Sequence, residues 1–463
     1  AACSLFPRPQ KPCHNMSRPP YFGAKADNRR LRRIIAEDVD WSLHVVPCLS
    51  KLCLQSIVRS FEEKPIFEEL PPLDRVFVQE RLPTSLPLHV TANSVSDGVF
   101  WKRCCEQRWD ICDPADYGHS WKRMFFERHV ENIIELFIPD ETEPRAVLEM
   151  VPLCKNYVKR LDISQLLPPI KEPEKKEEEE EYGPELAGPS MDHFDFNILL
   201  KKLTKLEELH LVYRVKQCGM NFERTMFEMT DRDCESLAEA LVSCKTLKLL
   251  RLHQSNIEDK KCRRLVRNLL DHPSLTELDL SHNVIGDKGA AAIGRLLARN
   301  KLETLNMCDN NIRGPGAEAI ARALSVNSSL LSLNLRLNRV GDGGGRAIGE
   351  ALLNNRTLLH LHLGANVVTG PSAVALSKVL VENGTLKSIN LSCNNLGVVR
   401  KPLSEFSVCA DQKAFQLFME TCFSPREADR MIPTLLQSRN TLCKTTSICD
   451  FGPLFTEHSH RAV

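Results

Sequence analysis

"LLSLNLRLNRVGDGGGRAIGEAL", Leu330 to Leu352, decides how the chain is read. Its cluster of glycines, followed by Arg346, looks like a loop wrapped on a phosphate, where glycine lets backbone N–H groups approach an anion at a helix N-terminus. The same letters are also one unit of a repeat. Leu247, Leu275, Leu302, Leu330, Leu358 and Leu386 recur every 27 or 28 residues. They open "LKLLRLHQSN", "LTELDLSHN", "LETLNMCDN", "LLSLNLRLN", "LLHLHLGAN" and "LKSINLSCN". The shared pattern is LxxLxLxxN, with asparagines at 256, 283, 310, 338, 366 and 394, the first unit reading as one residue longer in its tail. In this register Gly341 aligns with Gly286, Gly344 with Gly289 and Gly316, and Gly345 with Ala290, Ala317 and Ala373. Only Gly343 departs, standing where other units carry Lys288, Pro315 and Pro371, and a GxGxxG begun at Gly341 ends on Arg346. The glycines therefore read as a sharp turn into a closely packed helix.

After each asparagine comes a second apolar set. Val266/Leu269/Leu270, Ile293/Leu296/Leu297, Ile320/Ala323/Leu324, Ile348/Ala351/Leu352 and Leu376/Val379/Leu380 sit at i, i+3, i+4, one face of a helix. Each unit is thus a short strand, an Asn turn and a helix, which cannot bury its apolar face alone but can in a stack. The pattern resembles the leucine-rich repeats of the ribonuclease-inhibitor class. That resemblance implies an α/β solenoid with parallel strands on the concave side and helices outside. The recurring Asn is expected to satisfy backbone groups at the turn.

Within LxxLxLxx, alternation places every second residue on the concave face. The outward set is Arg251, His253, Glu277, Asp279, Ser281, Thr304, Asn306, Ser332, Asn334, Arg336, His360, His362, Ser388 and Asn390, with Leu249, Cys308 and Ser392 beside them. This set is polar and mixed in charge, which favours a protein partner over an anionic polymer.

No catalytic constellation accompanies it: there is no GxSxG, HExxH, DFG or complete GxxxxGK[ST]. The net charge of +1 provides no general field for nucleic acid, and no apolar run is long enough to span a bilayer. The first twenty residues are Pro-rich without an apolar core, so no secretory signal is expected. The 18 cysteines are scattered and read as free thiols. Cys104, Cys105 and Cys112, with His119 nearby, lack paired CxxC spacing, so neither a metal nor another cofactor is expected.

Along the chain, residues 1–28 read as disordered and 29–169 as a helical N-terminal domain. In "NRRLRRIIAEDVDWSLHVVPCLSKLCLQSIVRSF", residues from Ile34 through Val46 to Ile57 fall at helix-like spacing. Trp101, Trp109, Trp121, Phe125 and Phe126 read as that domain's core, although interleaved bases could stack on nucleic acid. Residues 170–191, around "EPEKKEEEEEYGP", form an acidic, proline-bounded linker. The repeat domain covers 192–440, opening with the atypical strand "LEELHL"; 398–440 read as degenerate repeats and 441–463 as a tail.

The segments "RRIIAEDVDWSLHVVPCL", "SWKRMFFERHVENIIELFIP", "PLCKNYVKRL", "LEELHLVYRVKQCGMNFE" and "SINLSCNNLG" together resemble a leucine-rich-repeat subunit family of the nexin–dynein regulatory complex. The likeness runs over about residues 28–397; the remainder departs from the family pattern. The resemblance implies a non-enzymatic scaffold in the axoneme, the microtubule cytoskeleton of motile cilia and sperm flagella. There it would help link outer doublets and regulate dynein-driven motility. Implied partners are other subunits of that complex, doublet microtubules and inner dynein arms, with no nucleic acid and no membrane. Two rival readings stand beside it: a ubiquitin-ligase substrate adaptor, since "LPTSLPLHVTANSVSDGVFWKRCCEQRW" is loosely F-box- or elongin-like, and a GTPase activator built from similar repeats.

Overall fold

A computed structural model describes residues 32–33, 45–46, 48–169, 192–218, 220 and 224–396. The expected disordered start, the acidic linker, the degenerate repeats and the tail lie outside the described residues.

The chain divides into two compact units, residues 1–100 and 101–463. In the first, β1 (Arg32–Arg33) pairs antiparallel with β2 (Val45–Val46). These four residues were expected in a helix; the β-branched valine pair is instead held in a strand. Helices α1 (Leu49–Arg59), α2 (Pro72–Arg81) and α3 (Leu88–Ser94) follow. Their core comprises Phe61, Phe67, Val78, Leu82 and Val95.

Helix α4 (Val99–Arg108) crosses the boundary, and α5 (Trp121–Glu135) and α6 (Arg145–Cys154) follow in the second unit. Trp101, Phe125 and Phe126 are buried with ring centroids 5.2–5.6 Å apart. The interleaved bases lie over these rings, with Arg128 4.6 Å from the Trp109 ring and Lys122 4.4 Å from that of Tyr157. The aromatic–basic alternation is therefore that of a core with cations laid over its rings, Lys122 among them being buried.

The next strand, β3 (Arg160–Ile163), belongs to the repeats. It is the first of eight parallel strands in strict chain order, continued by β4 (Glu208–Leu211), β5 (Leu249–Leu252), β6 (Glu277–Asp279), β7 (Thr304–Asn306), β8 (Ser332–Asn334), β9 (His360–His362) and β10 (Ser388–Asn390). The segment 29–169 is thus not one domain. It divides near residue 100, and its last part supplies the first strand of the solenoid, ahead of the acidic linker. Between the strands run α7 (Asn197–Leu200), α8 (Asp231–Ser243), α9 (Asp259–Leu269), α10 (Asp287–Leu297), α11 (Gly314–Leu324), α12 (Gly341–Asn354) and α13 (Gly370–Glu382). The second pattern leucine of five units, Leu250, Leu278, Leu305, Leu333 and Leu361, is at most 1% exposed.

Polar side chains, buried or half-buried, lock the stack through three ladders. In the first, Asn283, Asn310, Asn338, Asn366 and Asn394 each donate Nδ2–H to a carbonyl of the preceding unit, as Asn338 does to Met307 at 2.9 Å. Each Oδ1 accepts a backbone N–H from that same unit, as from Ile312 at 3.1 Å. In the first unit the position is held by fully buried Ser255, whose hydroxyl accepts from Tyr213 N–H. Asn256, expected there, is one residue too late, with φ at +50°, and the first unit has no extra residue.

A second ladder, at the helix-to-strand turns, was not read from the sequence. Asn327, Asn355 and Asn383 each accept two backbone N–H groups from the next turn and donate to the preceding unit. In the first of these turns His272 takes the same role, with Nδ1 accepting from Ser274 and Leu275 and Nε2 facing Cys244 O at 2.9 Å. These asparagines start N-x-S/T triplets, the glycosylation pattern, but each is at most 7% exposed with its amide already bonded, so the triplet is structural.

The third ladder caps helices across units. Asp259 accepts from Gly286 and Gly289 N–H, and Asp287 from Arg313 and Gly316 N–H. Asp342 accepts from Thr369 N–H and Ser372 Oγ. Burial alone would raise the Asp342 carboxyl, yet these bonds hold it below its ordinary value.

The glycines around Asp342 have steric work. Gly341 has φ +60°, and a Cβ on Gly344 would stand 2.6 Å from Ala317 Cβ. A Cβ on Gly343 would meet only the Glu318 carboxylate, at 3.6 Å, a poor neighbour for an anion.

Candidate functional site

The sheet register turns the predicted residues into two continuous rows on the concave face. One runs Arg160, Glu208, Leu249, Glu277, Thr304, Ser332, His360, Ser388. The other runs Asp162, His210, Arg251, Asp279, Asn306, Asn334, His362, Asn390. His253, Ser281 and Arg336 lie two residues further on, where the strands end. Ser281, expected to face outward, is only 5% exposed. The chain bends there, with φ at +56° on His282, so strict strand alternation no longer applies.

Four members of the rows were not predicted: Arg160, Asp162, Glu208 and His210. The last two were legible, because Leu209 and Leu211 alternate with them in "LEELHL". The first two lie ahead of the acidic linker, where nothing in the sequence announces a repeat.

Charge is not spread evenly along the rows. Over β3–β6 the rows hold Arg, Asp and Glu beside Leu249 and His210: Arg160 Nη2 is 2.8 Å from Asp162 Oδ2, and Arg251 Nε is 3.1 Å from Asp279 Oδ2. Burial would raise the Asp162 carboxyl, but His210 and Arg160 beside it hold it well below the usual range. Glu277 is pushed up, by burial first and then by Glu208 and Glu303. Over β7–β10 the rows hold Thr, Ser, Asn and His alone. Burial lowers His360 and His362, assisted by Lys387 for the former and by His360 and Arg336 for the latter, which favours neutral imidazoles.

The asparagines of this neutral half are partly committed. Asn306, Asn334 and Asn390 each accept the N–H two residues on, through Oδ1, in an Asx turn that ends the strand. Their Nδ2 groups are left toward the concave face as a line of donors. Asp279 makes the same turn with Ser281 N–H, so the turn fixes an acceptor oxygen at this position while the other side-chain terminus varies.

At the N-terminal end of the rows lies a polar cleft lined by Tyr117, Arg128, Glu131, Glu135, Arg160 and Asp162. Burial pushes Glu131 up to about 8. Among the described residues no group of three or more His, Cys, Asp or Glu side chains has metal-binding geometry, and no helix is long and apolar enough to cross a membrane. On this face His360 Nδ1 and Ser388 Oγ lie 2.7 Å apart, and the rows as a whole present hydrogen-bonding and charged side chains suited to a polar protein surface.

Comparison with known proteins places both the repeats and the sequence flanking them. A Leucine Rich repeat family model matches residues 271–294, 299–321, 326–349 and 354–377. The chain is 50% identical over 234 residues to Dynein regulatory complex subunit 5 of Mus musculus, covering 50% of this chain and 47% of that protein. It is 48% identical over 259 residues to the Homo sapiens protein of the same name, covering 55% and 50% respectively. The Chlamydomonas reinhardtii protein of that name is 33% identical over 216 residues, covering 46% and 49%. The chain therefore spans about half the length of the curated relatives it matches.

Proposed function

We propose, from the premise that this leucine-rich-repeat chain has proteins named dynein regulatory complex subunit 5 as homologues over about half its length, that it is a non-enzymatic interaction subunit of a dynein regulatory complex. In this reading it acts in the axoneme of motile cilia and flagella, as a scaffold helping to link outer doublets and regulate dynein. Its partners are other subunits of the complex, with doublet microtubules and inner dynein arms as its wider surroundings. The observation that carries the reading is the identity of 50% over 234 residues to one such named subunit.

Physically, a scaffold needs a face whose shape does not change when a partner binds. The ladders hold the concave rows rigid, so little ordering entropy is lost on association. Arg251, Glu277, Asp279, Asn306, Asn334, Arg336 and His362 then serve as contact residues for a polar protein surface. His253, Ser281, Thr304, Ser332, His360, Ser388 and Asn390 frame them.

Crosslinking mass spectrometry on isolated axonemes tests this. Crosslinks from the chain to other subunits of the complex are expected. A tagged chain that washes out with detergent-soluble protein, or that recovers a Skp1- or elongin-type partner instead, would overturn it.

A further inference from the structure

The helices on the opposite side of the sheet carry a second surface. Counting from the aspartate that opens each of α9 and α10, position nine is Arg267 and then Arg295; Arg322 takes the matching place in α11. All three are exposed, and among the described residues none has a carboxylate within salt-bridge distance. This contrasts with their neighbours Arg264 and Arg299, which pair with Glu235 and Asp271. The matching position is Glu239 in α8 and Glu350 in α12, so the basic row has two acidic ends. A base in the last turn complements the helix dipole, but Glu350 shows that this position does not require one.

From this row we infer that α9–α11 bind an acidic, Asp/Glu-rich segment of a protein partner. Adjacent packed helices lie about 8–10 Å apart, so the three guanidinium groups span about 20 Å in one line. A peptide in the polyproline II conformation has three residues per turn at about 3.1 Å each, so every third side chain faces the same way at about 9 Å and brings a carboxylate opposite each arginine. Guanidinium forks take carboxylates in bidentate geometry. The acidic ends fix where such a segment starts and stops. They also weigh against a nucleic-acid backbone, which would carry its charge past Glu239 and Glu350 at closer spacing. The surface is separate from the concave rows, and the inference does not rest on the function proposed above.

The test is fluorescence anisotropy of labelled decaglutamate titrated with the 463-residue chain. Binding is expected at low salt, weakening at least about tenfold when salt rises from about 50 to about 200 mM. The triple variant Arg267→Glu/Arg295→Glu/Arg322→Glu is expected to lose at least about tenfold in affinity. Arg356→Glu, on an exposed turn outside α9–α11, should leave the affinity unchanged. If the reversal variant fails to fold by circular dichroism, Arg267→Gln/Arg295→Gln/Arg322→Gln is measured in its place. No binding at low salt, equal affinity in the triple variant, or tighter arginine-dependent binding of duplex DNA would each overturn the inference.

Discussion

The interior of the solenoid and its N-terminal edge solve the same problem with different chemistry. Inside, the backbone groups left over at the strand ends and helix-to-strand turns are met by neutral side chains, the amides at 283, 310, 338, 366 and 394 and those at 327, 355 and 383, and only the helix starts take carboxylates, from Asp259, Asp287 and Asp342. At the edge the outer side of β3 would present a row of unpaired N–H groups. There α5 covers it with carboxylates. Glu127 Oε1 accepts from Lys159 and Arg160 N–H, Glu131 from Asp162 N–H at 2.7 Å, and Glu135 from Ser164 N–H at 2.8 Å. The match is metric: four residues of helix rise about 6.0 Å and two residues of strand about 6.6 Å, so every fourth side chain meets every second amide.

Neutral amides suit the interior because they carry donor and acceptor together and need no counter-charge. Only acceptors are needed at the edge, and a carboxylate is the stronger one. The consequence is that the edge carries charge into a partly dry place and becomes sensitive to pH. Glu127 is fully buried, its second oxygen has no hydrogen-bond partner among the described residues, and burial raises its pKa despite Arg123 at 2.8 Å.

This contrast can be broken at several points. The largest effect is expected for Glu127→Ala, which removes the acceptor for two strand amides and the partner of Arg123. It should cost about 3–5 kcal/mol in urea unfolding, whereas Glu127→Gln should recover a large part of that. A loss below about 1 kcal/mol for the alanine variant would mean the helix does not hold the edge.

Next is the interior. Asn338→Ala leaves Ile312 N–H without its acceptor and removes one of the two amide donors on each of Met307 O and Leu335 O, which keep Asn310 and Asn366, and should cost about 1–3 kcal/mol in urea unfolding.

The third prediction is the pH response. Glu131, at about 8 in the fold against an ordinary value of 4.5, binds more protons folded than unfolded between those values. Stability from this group is therefore full below about 4.5 and declines as pH rises toward 8. Glu131→Gln should flatten the slope, by about 1–2 kcal/mol across the window once its partial exposure is allowed for. Parent and variant compared by urea titration at several pH values read this directly, and a slope identical in both would refute it.

Smallest of all, Asn256→Ala should change stability by less than about 0.5 kcal/mol, while Ser255→Ala should cost about 1–2 kcal/mol. The reverse order would return the first ladder position to Asn256.

Much of the fold was legible. The spacing of Leu247 through Leu386 defines a stacked strand–turn–helix unit, because only a shared core can bury those leucines and the helical set after them. The same spacing placed most of the concave rows, since strand alternation is a local property. Legibility failed where local pattern and long-range partner part company. Ser255 in place of an asparagine, and His272 in place of Asn327 or Asn355, satisfy the same backbone groups with different letters, so a pattern of letters misses them. The glutamates of "FFERHVENIIE" were overlooked among its aromatics and bases, although a carboxylate every fourth residue was visible.

By itself, the sequence determined a leucine-rich repeat from about Leu247 onward, the direction its rows of side chains face, and a glycine cluster that serves packing. Only the tertiary structure decided that the sheet begins at Arg160, ahead of the acidic linker, and that α5 seals its edge. Repetition is written in the chain because each unit meets a near-copy of itself. An end has no copy to meet, and its partner can be recognised only once the fold has brought the two together.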